Sequence, residues 1–391
     1  MSNVPEGQPR VVLVGAGHAH LRVASQARHP GLRGAEVVLI APDATWYSGM
    51  ATGMLGGRYA PAEDRIDPGA TAAEGGARFI DTRVTGLDRQ QRAVCLESGE
   101  TVPYDLVSFA VGSTIAPLDT PPAEAPAVWP VKPISDLARL RSTLEAHFRA
   151  GGRTRIAVVG GGATGCEVAA NLRALARRHD HAARITIIEQ GARLLPEAPP
   201  GAARALGRFL ERRDVAVACD TPFEGLRAGA LVAGGRTLPA DHVVLATGLR
   251  PHPLVARLGL PSDPRDGLRV DACLRSIADP RIHAVGDCAA FEPRPLPKVG
   301  VFGVRQAPVL LHNLAAALDG RDPRPFRPQQ RWLSILNLGD GHGLALYGRY
   351  WVLGRWPMRI KERLDRGFVT AFPAPAANAV AEAPRRESDT T

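Results

Sequence analysis

Four carboxylates in this chain stand where a short apolar run ends or a glycine turn has just passed. Glu189 closes Arg184-Ile185-Thr186-Ile187-Ile188, and Asp287 follows Gly286 behind Ile282-His283-Ala284-Val285. Asp43 lies three residues past Ile40, and Glu167 sits two residues behind Gly165. A carboxylate at the end of a buried strand can accept both hydroxyls of a ribose, while its charge repels a 2′-phosphate. The complementary chemistry lies in two glycine runs, Gly15-Ala16-Gly17 and Gly160-Gly161-Gly162-Ala163-Thr164-Gly165. Such a run, directly behind a strand, brings the backbone against a pyrophosphate at the positive start of the next helix.

The elements that must hold these groups come in two similar sets. Val11 to Val14 reads as a strand, a helix is predicted from His18, and Glu36 to Ile40 reads as the next strand, a βαβ beginning. This first unit departs from the ideal pattern twice. His20 occupies the position where a small residue lets helix and strand pack, and Ala41-Pro42 stands where the acid belongs. Asp43 either substitutes for that acid or starts a turn. The second unit, behind Ile156 to Val159, has the complete Gly-x-Gly-x-x-Gly and then Glu189, so NAD(H) is expected there; the nearby Arg193 leaves some use of NADPH open.

Two further segments repeat. Thr101-x-Pro103-x-Asp105 leads through an apolar run to Gly112, and Thr237-x-Pro239-x-Asp241 leads through another to Gly248. Two copies of one module imply two dinucleotide sites. A flavin in one and a nicotinamide in the other is the most economical filling, which places FAD on Gly15 and Gly17. The expected fold is α/β, with two Rossmann-like dinucleotide-binding domains (FAD and NAD) and a C-terminal α+β region. The expected FAD-binding domain is discontinuous, 1–122 and 254–330, with the NAD(H)-binding domain at 123–253. A C-terminal region spans 331–372, and 373–391 reads as a disordered tail. The proline-rich stretch from Pro117 to Pro133 reads as the linker between domains.

Composition narrows the class. The 391 residues carry net charge +9, but aromatics are only 5% and no nucleic-acid motif is present, so a nucleic-acid partner is not expected. The five cysteines form no CxxC or CxxxxC pair, which argues against a redox disulfide, a zinc site and a secreted disulfide framework. No apolar run reaches the roughly twenty residues of a spanning helix, and the N-terminal residues show no signal-peptide pattern. The expected location is cytoplasmic, at most peripheral on the membrane. Near the C-terminus, Trp356, Ile360, Leu364 and Phe368 fall on one helical face, flanked by Arg355, Arg359, Lys361, Arg363 and Arg366. A basic amphipathic helix of this kind within 352–370 lies in a membrane interface, or packs on its own body or a homodimer partner.

On these motifs, together with Tyr47-Ser48-Gly49-Met50, Ala246-Thr247-Gly248, Pro297-Lys298-Val299-Gly300 and Leu333 to Gly341, the chain resembles the pyridine nucleotide–disulfide oxidoreductase superfamily. Within it the chain is similar to type II NADH dehydrogenases, and to the branch associated with selenide, water dikinase, whose first motif reads Gly-His-x-His. The resemblance implies hydride transfer from NADH to FAD and onward to a quinone or another small acceptor. It implies a Glu near nicotinamide and flavin at Glu167, as gate or proton shuttle; a plain helix-start carboxylate is the other reading of that residue. Lys298 is expected near the flavin's N1–O2 edge, and Arg305 and Gln306 where related enzymes line a quinone pocket. His18 reads as a packing or phosphate-loop residue more than a catalyst. Two alternatives are a sulfide:quinone oxidoreductase using Cys166 and Cys288, which border the cofactor motifs, and a flavin-bound redox sensor.

Overall fold

The structure is a computed structural model that describes residues 7–42, 45–116, 118 and 120–374. Asp43 and nearly all of the expected tail therefore lie outside the described residues. The strands segregate into two parallel sheets, because the apolar runs are buried along almost their whole length, as strands covered on both faces must be. In the first sheet the parallel strands lie in the order Asp279–Ala284, Leu106–Phe109, Arg10–Val14, Glu36–Ile40 and Arg78–Ile80. The second runs Ala127–Pro130, His242–Leu245, Thr154–Val159, Ala183–Ile188 and Val215–Ala218, also parallel. In each sheet the strand that ends in the glycine turn lies in the middle.

Helices follow the strands in chain order: α1 (His18–Ala24), α2 (Ala51–Leu55), α3 (Pro68–Gly75), α4 (Ile134–Ala150), α5 (Ala163–Arg178), α6 (Pro200–Glu211), α7 (Leu254–Arg257), α8 (Gly300–Leu318) and α9 (Trp356–Val369). The duplication read from the sequence extends to single hydrogen bonds. The Arg10 amide donates to Asp105 Oδ2 at 2.7 Å, and the Arg155 amide donates to Asp241 Oδ2 at the same distance. In each half this acid pins the start of the central strand, at its first residue in one and its second in the other. Each half also carries a three-stranded antiparallel sheet, Val84–Asp88 with Ala93–Leu96 and Thr101–Pro103, and Phe223–Arg227 with Ala230–Ala233 and Arg236–Pro239. The second turn of the first of these lies at Ser98-Gly99.

The chain crosses between halves through an antiparallel pair, Ser113–Ile115 with Leu249–Pro251. Two details differ from the expected organisation. Ala127–Pro130, within the stretch read as linker, is an edge strand of the second sheet. Met50, Met54, Leu55 and Tyr59, early in the chain, bury into the second core rather than the first. The C-terminal region is a three-stranded sheet, Ser334–Asn337, Gly343–Tyr347 and Tyr350–Gly354, followed by α9. Among the described residues, no helix is long and apolar enough to cross a membrane.

Candidate functional site

Both glycine turns emerge at the carboxyl edge of their sheets, the side on which open α/β sheets bind ligands. Gly15 has φ +87° and Gly160 φ +109°, a backbone shape that disfavours side chains. A Cβ on Gly15 would lie 2.7 Å from the Ala110 carbonyl oxygen, and one on Gly160 would overlap the Ala246 carbonyl, the matching residue of the second half. Gly17 is held against Ala110 in the same way. Helices α1 and α5 start at Gly17 and Gly162, and no side chain caps either. Their first backbone N–H groups are left to an external acceptor, and a Cβ on Gly162 would meet open space. A pyrophosphate fits both turns on these grounds.

The third position of the two turns is solved differently. Gly165 presses directly on Gly160, whose carbonyl oxygen a Cβ there would overlap. Its counterpart His20 is fully buried and bonds the corresponding carbonyl instead, with Nδ1 2.7 Å from Gly15 O and Nε2 2.8 Å from Ser108 Oγ. Burial lowers its pKa to about 4, so the ring is neutral. Since a carbonyl only accepts, Nδ1 donates to Gly15 and Nε2 accepts the Ser108 hydroxyl. His20 thus replaces a close packing contact by a hydrogen bond between helix, turn and the Leu106–Phe109 strand.

Glu189 is buried at the end of its strand and accepts from the Gly161 amide at 2.5 Å and the Gly191 amide at 2.6 Å. It stands beside the intact turn, as expected. Asp287 and Gly286 lie in a turn behind the Asp279–Ala284 strand. Gly112, Gly248 and Gly286 all have positive φ, and a Cβ on any of them would meet open space. Burial raises the Asp287 pKa, but the Lys132 charge and hydrogen bond and the Ser113 hydroxyl outweigh it and leave the carboxyl below its ordinary value.

Several expected residues prove to support this turn. Lys298 donates to the carbonyls of Asp266 (2.8 Å) and Asp287 (2.7 Å), and burial lowers its pKa. Gln306, expected to line an acceptor pocket, is buried, and its Oε1 accepts the Gly286 amide at 2.7 Å, whereas Arg305 points to solvent. His18 is wedged between Tyr47 and Phe368 with ring centroids 5.4 and 5.2 Å away, and burial lowers its pKa to about 4. That is the packing role, with a neutral ring at the start of α1.

Glu167 lies apart from that turn, where α5 meets α2 and the C-terminal sheet. It accepts the Asn337 amide at 2.6 Å and the Thr52 hydroxyl at 3.4 Å, and burial raises its pKa. Beside it is a polar cluster that sequence reasoning missed. The Tyr47 hydroxyl donates to Asp365 (3.0 Å), Lys361 pairs with Asp365 (3.0 Å), and Asp64 lies close by. Lys132 was missed as well, because it sits in the proline-rich stretch. Cys166 and Cys288 belong to the two separate cores, each with its thiol against main-chain carbonyls. Burial pushes Cys166 strongly up and Cys288 up to about 11. All five cysteines are free.

These turns can be set beside known proteins. The model of the pyridine nucleotide-disulphide oxidoreductase family matches residues 9–310. The ferredoxin–NAD(+) reductase component of the anthranilate 1,2-dioxygenase system of Burkholderia cepacia is 32% identical over 71% of this chain and 67% of its own. The demethylphylloquinone reductase NdbB of Synechocystis is 27% identical over 72% and 73%. The structure of NDH2 from Plasmodium falciparum in complex with NADH superposes with a TM-score of 0.75 at 14% identity, over 94% of this chain and 99% of that one, a likeness of fold. The match runs through both glycine turns and the Gly286-Asp287 turn, and this chain belongs to the pyridine nucleotide-disulphide oxidoreductase family as an FAD-dependent NADH oxidoreductase.

Proposed function

We propose that this protein reduces a quinone with electrons from NADH at a membrane surface. When bound, the two cofactors supply the hydride chemistry, from nicotinamide to flavin. The chain's part is to hold them. Gly160, Gly162 and Gly165 with the uncapped start of α5 receive the pyrophosphate of NADH, and Glu189 its ribose hydroxyls. Gly15 and Gly17 with α1 receive that of FAD, Asp287 accepts one of its hydroxyls, and Lys298 and Gln306 fix the turn that presents Asp287. Gly112, Gly248 and Gly286, bare of side chains, leave their strand ends open to the cofactors. Glu167, buried and with a raised pKa, is suited to hold a proton near the junction of the two halves.

The observation that carries the acceptor is the orientation of α9. Its inner face seats Phe368 on Tyr47, centroids 4.7 Å apart, next to His18 at the first glycine turn. Its outer face shows Trp356, Ile360 and Leu364 to solvent, 51%, 37% and 57% exposed, among the exposed Arg355, Arg359 and Arg363. Tyr350, Trp351 and Val352 of the preceding strand are exposed as well. Apolar side chains among arginines suit an anionic lipid surface, and they bring a lipid-dissolved acceptor to the flavin end of the molecule. The similarity to a demethylphylloquinone reductase supports the same reading. The sulfide alternative needs thiolates, and the two buried thiols are held protonated in separate cores.

The decisive experiment reduces the FAD-loaded protein anaerobically with NADH and then offers acceptors in turn. NADH is expected to bleach the flavin much faster than NADPH, and a short-chain quinone to reoxidise it at least tenfold faster than oxygen. Faster reoxidation by an iron–sulfur ferredoxin than by the quinone overturns the acceptor. For the membrane, the wild type is expected to sediment with anionic but not neutral vesicles. A Trp356→Ser/Leu364→Ser variant, which leaves the packed face of α9 intact, is expected to stay in the supernatant. Equal sedimentation of the two proteins removes this helix from the interface.

A further inference from the structure

Three segments meet at the Asp287 carboxylate. The Ser113 hydroxyl donates to Asp287 Oδ2 at 2.7 Å, and Lys132 Nζ lies 2.8 Å from both that oxygen and Ser113 Oγ. The Lys132 and Asp287 side chains are only 23% and 14% exposed, so solvent screens the pair weakly. Asp287 and Ser113 belong to the first half of the molecule. Lys132 does not; it follows the Ala127–Pro130 strand of the second sheet and reaches back across the crossing. The other cation nearby, Lys298, donates to backbone carbonyls and leaves the carboxylate itself to Lys132. His18, also close, is neutral because burial lowers its pKa to about 4.

We propose that Lys132 is a positioning residue of the flavin site, an ammonium supplied from the nucleotide-binding half that neutralises Asp287 and thereby sets the charge the bound flavin meets. The inference rests on the reading that Asp287 faces FAD. A flavin gains negative charge on two-electron reduction, and an unpaired carboxylate in a weakly screened site opposes that gain. Paired with Lys132, Asp287 accepts a hydroxyl without that penalty. The arrangement also makes the charge of the flavin site depend on the docking of the two halves, since the carboxylate and its counter-ion come from different sheets.

The test is the two-electron midpoint potential of the bound flavin, read by equilibration with a reference dye. Lys132→Gln keeps a hydrogen-bond donor and removes the charge. It is expected to lower the ratio of reduced to oxidised flavin at fixed potential at least tenfold, a shift of about 30 mV to more negative values. Lys132→Arg should stay within threefold of wild type. In an Asp287→Asn background the effect of Lys132→Gln should shrink below threefold, because no carboxylate is left to neutralise. An unchanged potential in Lys132→Gln, an equal shift in Lys132→Arg, or a full shift persisting beside Asp287→Asn overturns the proposal. Loss of FAD from Lys132→Gln but not Lys132→Arg supports the charge pairing, and loss from both speaks against it. Wild-type protein that binds FAD but is not bleached by NADH sinks the broader functional reading instead, independently of these variants.

Discussion

Gly165→Ala is expected to give a yellow protein that NADH barely reduces. The added methyl would overlap the Gly160 carbonyl oxygen, and Gly160 has the Ala246 carbonyl behind it, close enough that even a Cβ there would overlap it. The start of α5 must therefore retreat, carrying its free N–H groups from where the pyrophosphate would lie and disturbing the Gly161 amide bonded to Glu189. A misplacement of about 1 Å at a positioning element costs about 100-fold in rate, and overpacking costs roughly 1–3 kcal/mol of stability. At a fixed NADH concentration, flavin bleaching should slow about 100-fold. Dithionite should reduce the same flavin normally, since the first glycine turn lies in the other sheet. Bleaching at the wild-type rate in stopped flow would falsify the placement of NADH on this turn.

Replacing one buried ionisable group by a neutral one should, by contrast, strengthen the fold at alkaline pH. Asp64 is fully buried, and neither carboxylate oxygen has a hydrogen-bond partner among the described residues. Burial raises its pKa to about 9, Asp365 adds to that rise, and Lys361 opposes it; Tyr47 also faces it. The unfolded chain ionises Asp64 near pH 4 while the folded one keeps the proton to about pH 9, so the unfolded state gains across that interval. Stability is therefore intact below about pH 4 and falls progressively as pH rises toward 9. Five pH units would correspond to an upper bound of about 7 kcal/mol. The neutral Asn must still bury an amide, so Asp64→Asn is expected to gain on the order of 2 kcal/mol at pH 8 and nothing near pH 4. For a chain of this size that is a rise of several degrees in Tm at pH 8. Wild-type and variant Tm profiles that run parallel from pH 4.5 to 8.5 would contradict it.

Local signals carried much of this architecture. The Glu36–Ile40 strand and the start of α9 at Trp356 lie where periodicity places them, because long apolar runs and regular spacing leave few competing structures. The duplicated Asp105 and Asp241 were legible as a repeat, though not as anchors of Arg10 and Arg155. The pattern of α9 fitted a membrane interface as well as packing on the body, and so left its orientation open. Trp356, Ile360 and Leu364 are exposed, while Glu362 and Asp365 face the body, paired with Arg58 and Tyr47 respectively. Partners that lie some 300 residues away leave no trace in local spacing. Lys132 was invisible for a related reason: the prolines around it signal a linker, while its partner Asp287 comes from the far side of an entire domain. His20, a flaw in a glycine pattern on paper, is explained only by the Ser108 that a neighbouring strand brings beside it.

The crossing at Ser113–Ile115 and Leu249–Pro251 bears on the order in which a growing chain can complete its parts. Every strand of the second parallel sheet lies between residues 127 and 245, so that sheet can pair throughout once this interval has left the ribosome, although Leu336, Leu338 and Leu344 of its core are still to come. The first sheet must wait, because Leu106–Phe109 finds its outer neighbour only when Asp279–Ala284 has been made. Contacts of such long sequence separation form late. The inserted sheet is thus paired throughout while the sheet enclosing it still has an open edge. Asp287 emerges just after the closing strand, and the turn that holds it is fixed only when Lys298 and Gln306 of the following segment have been made.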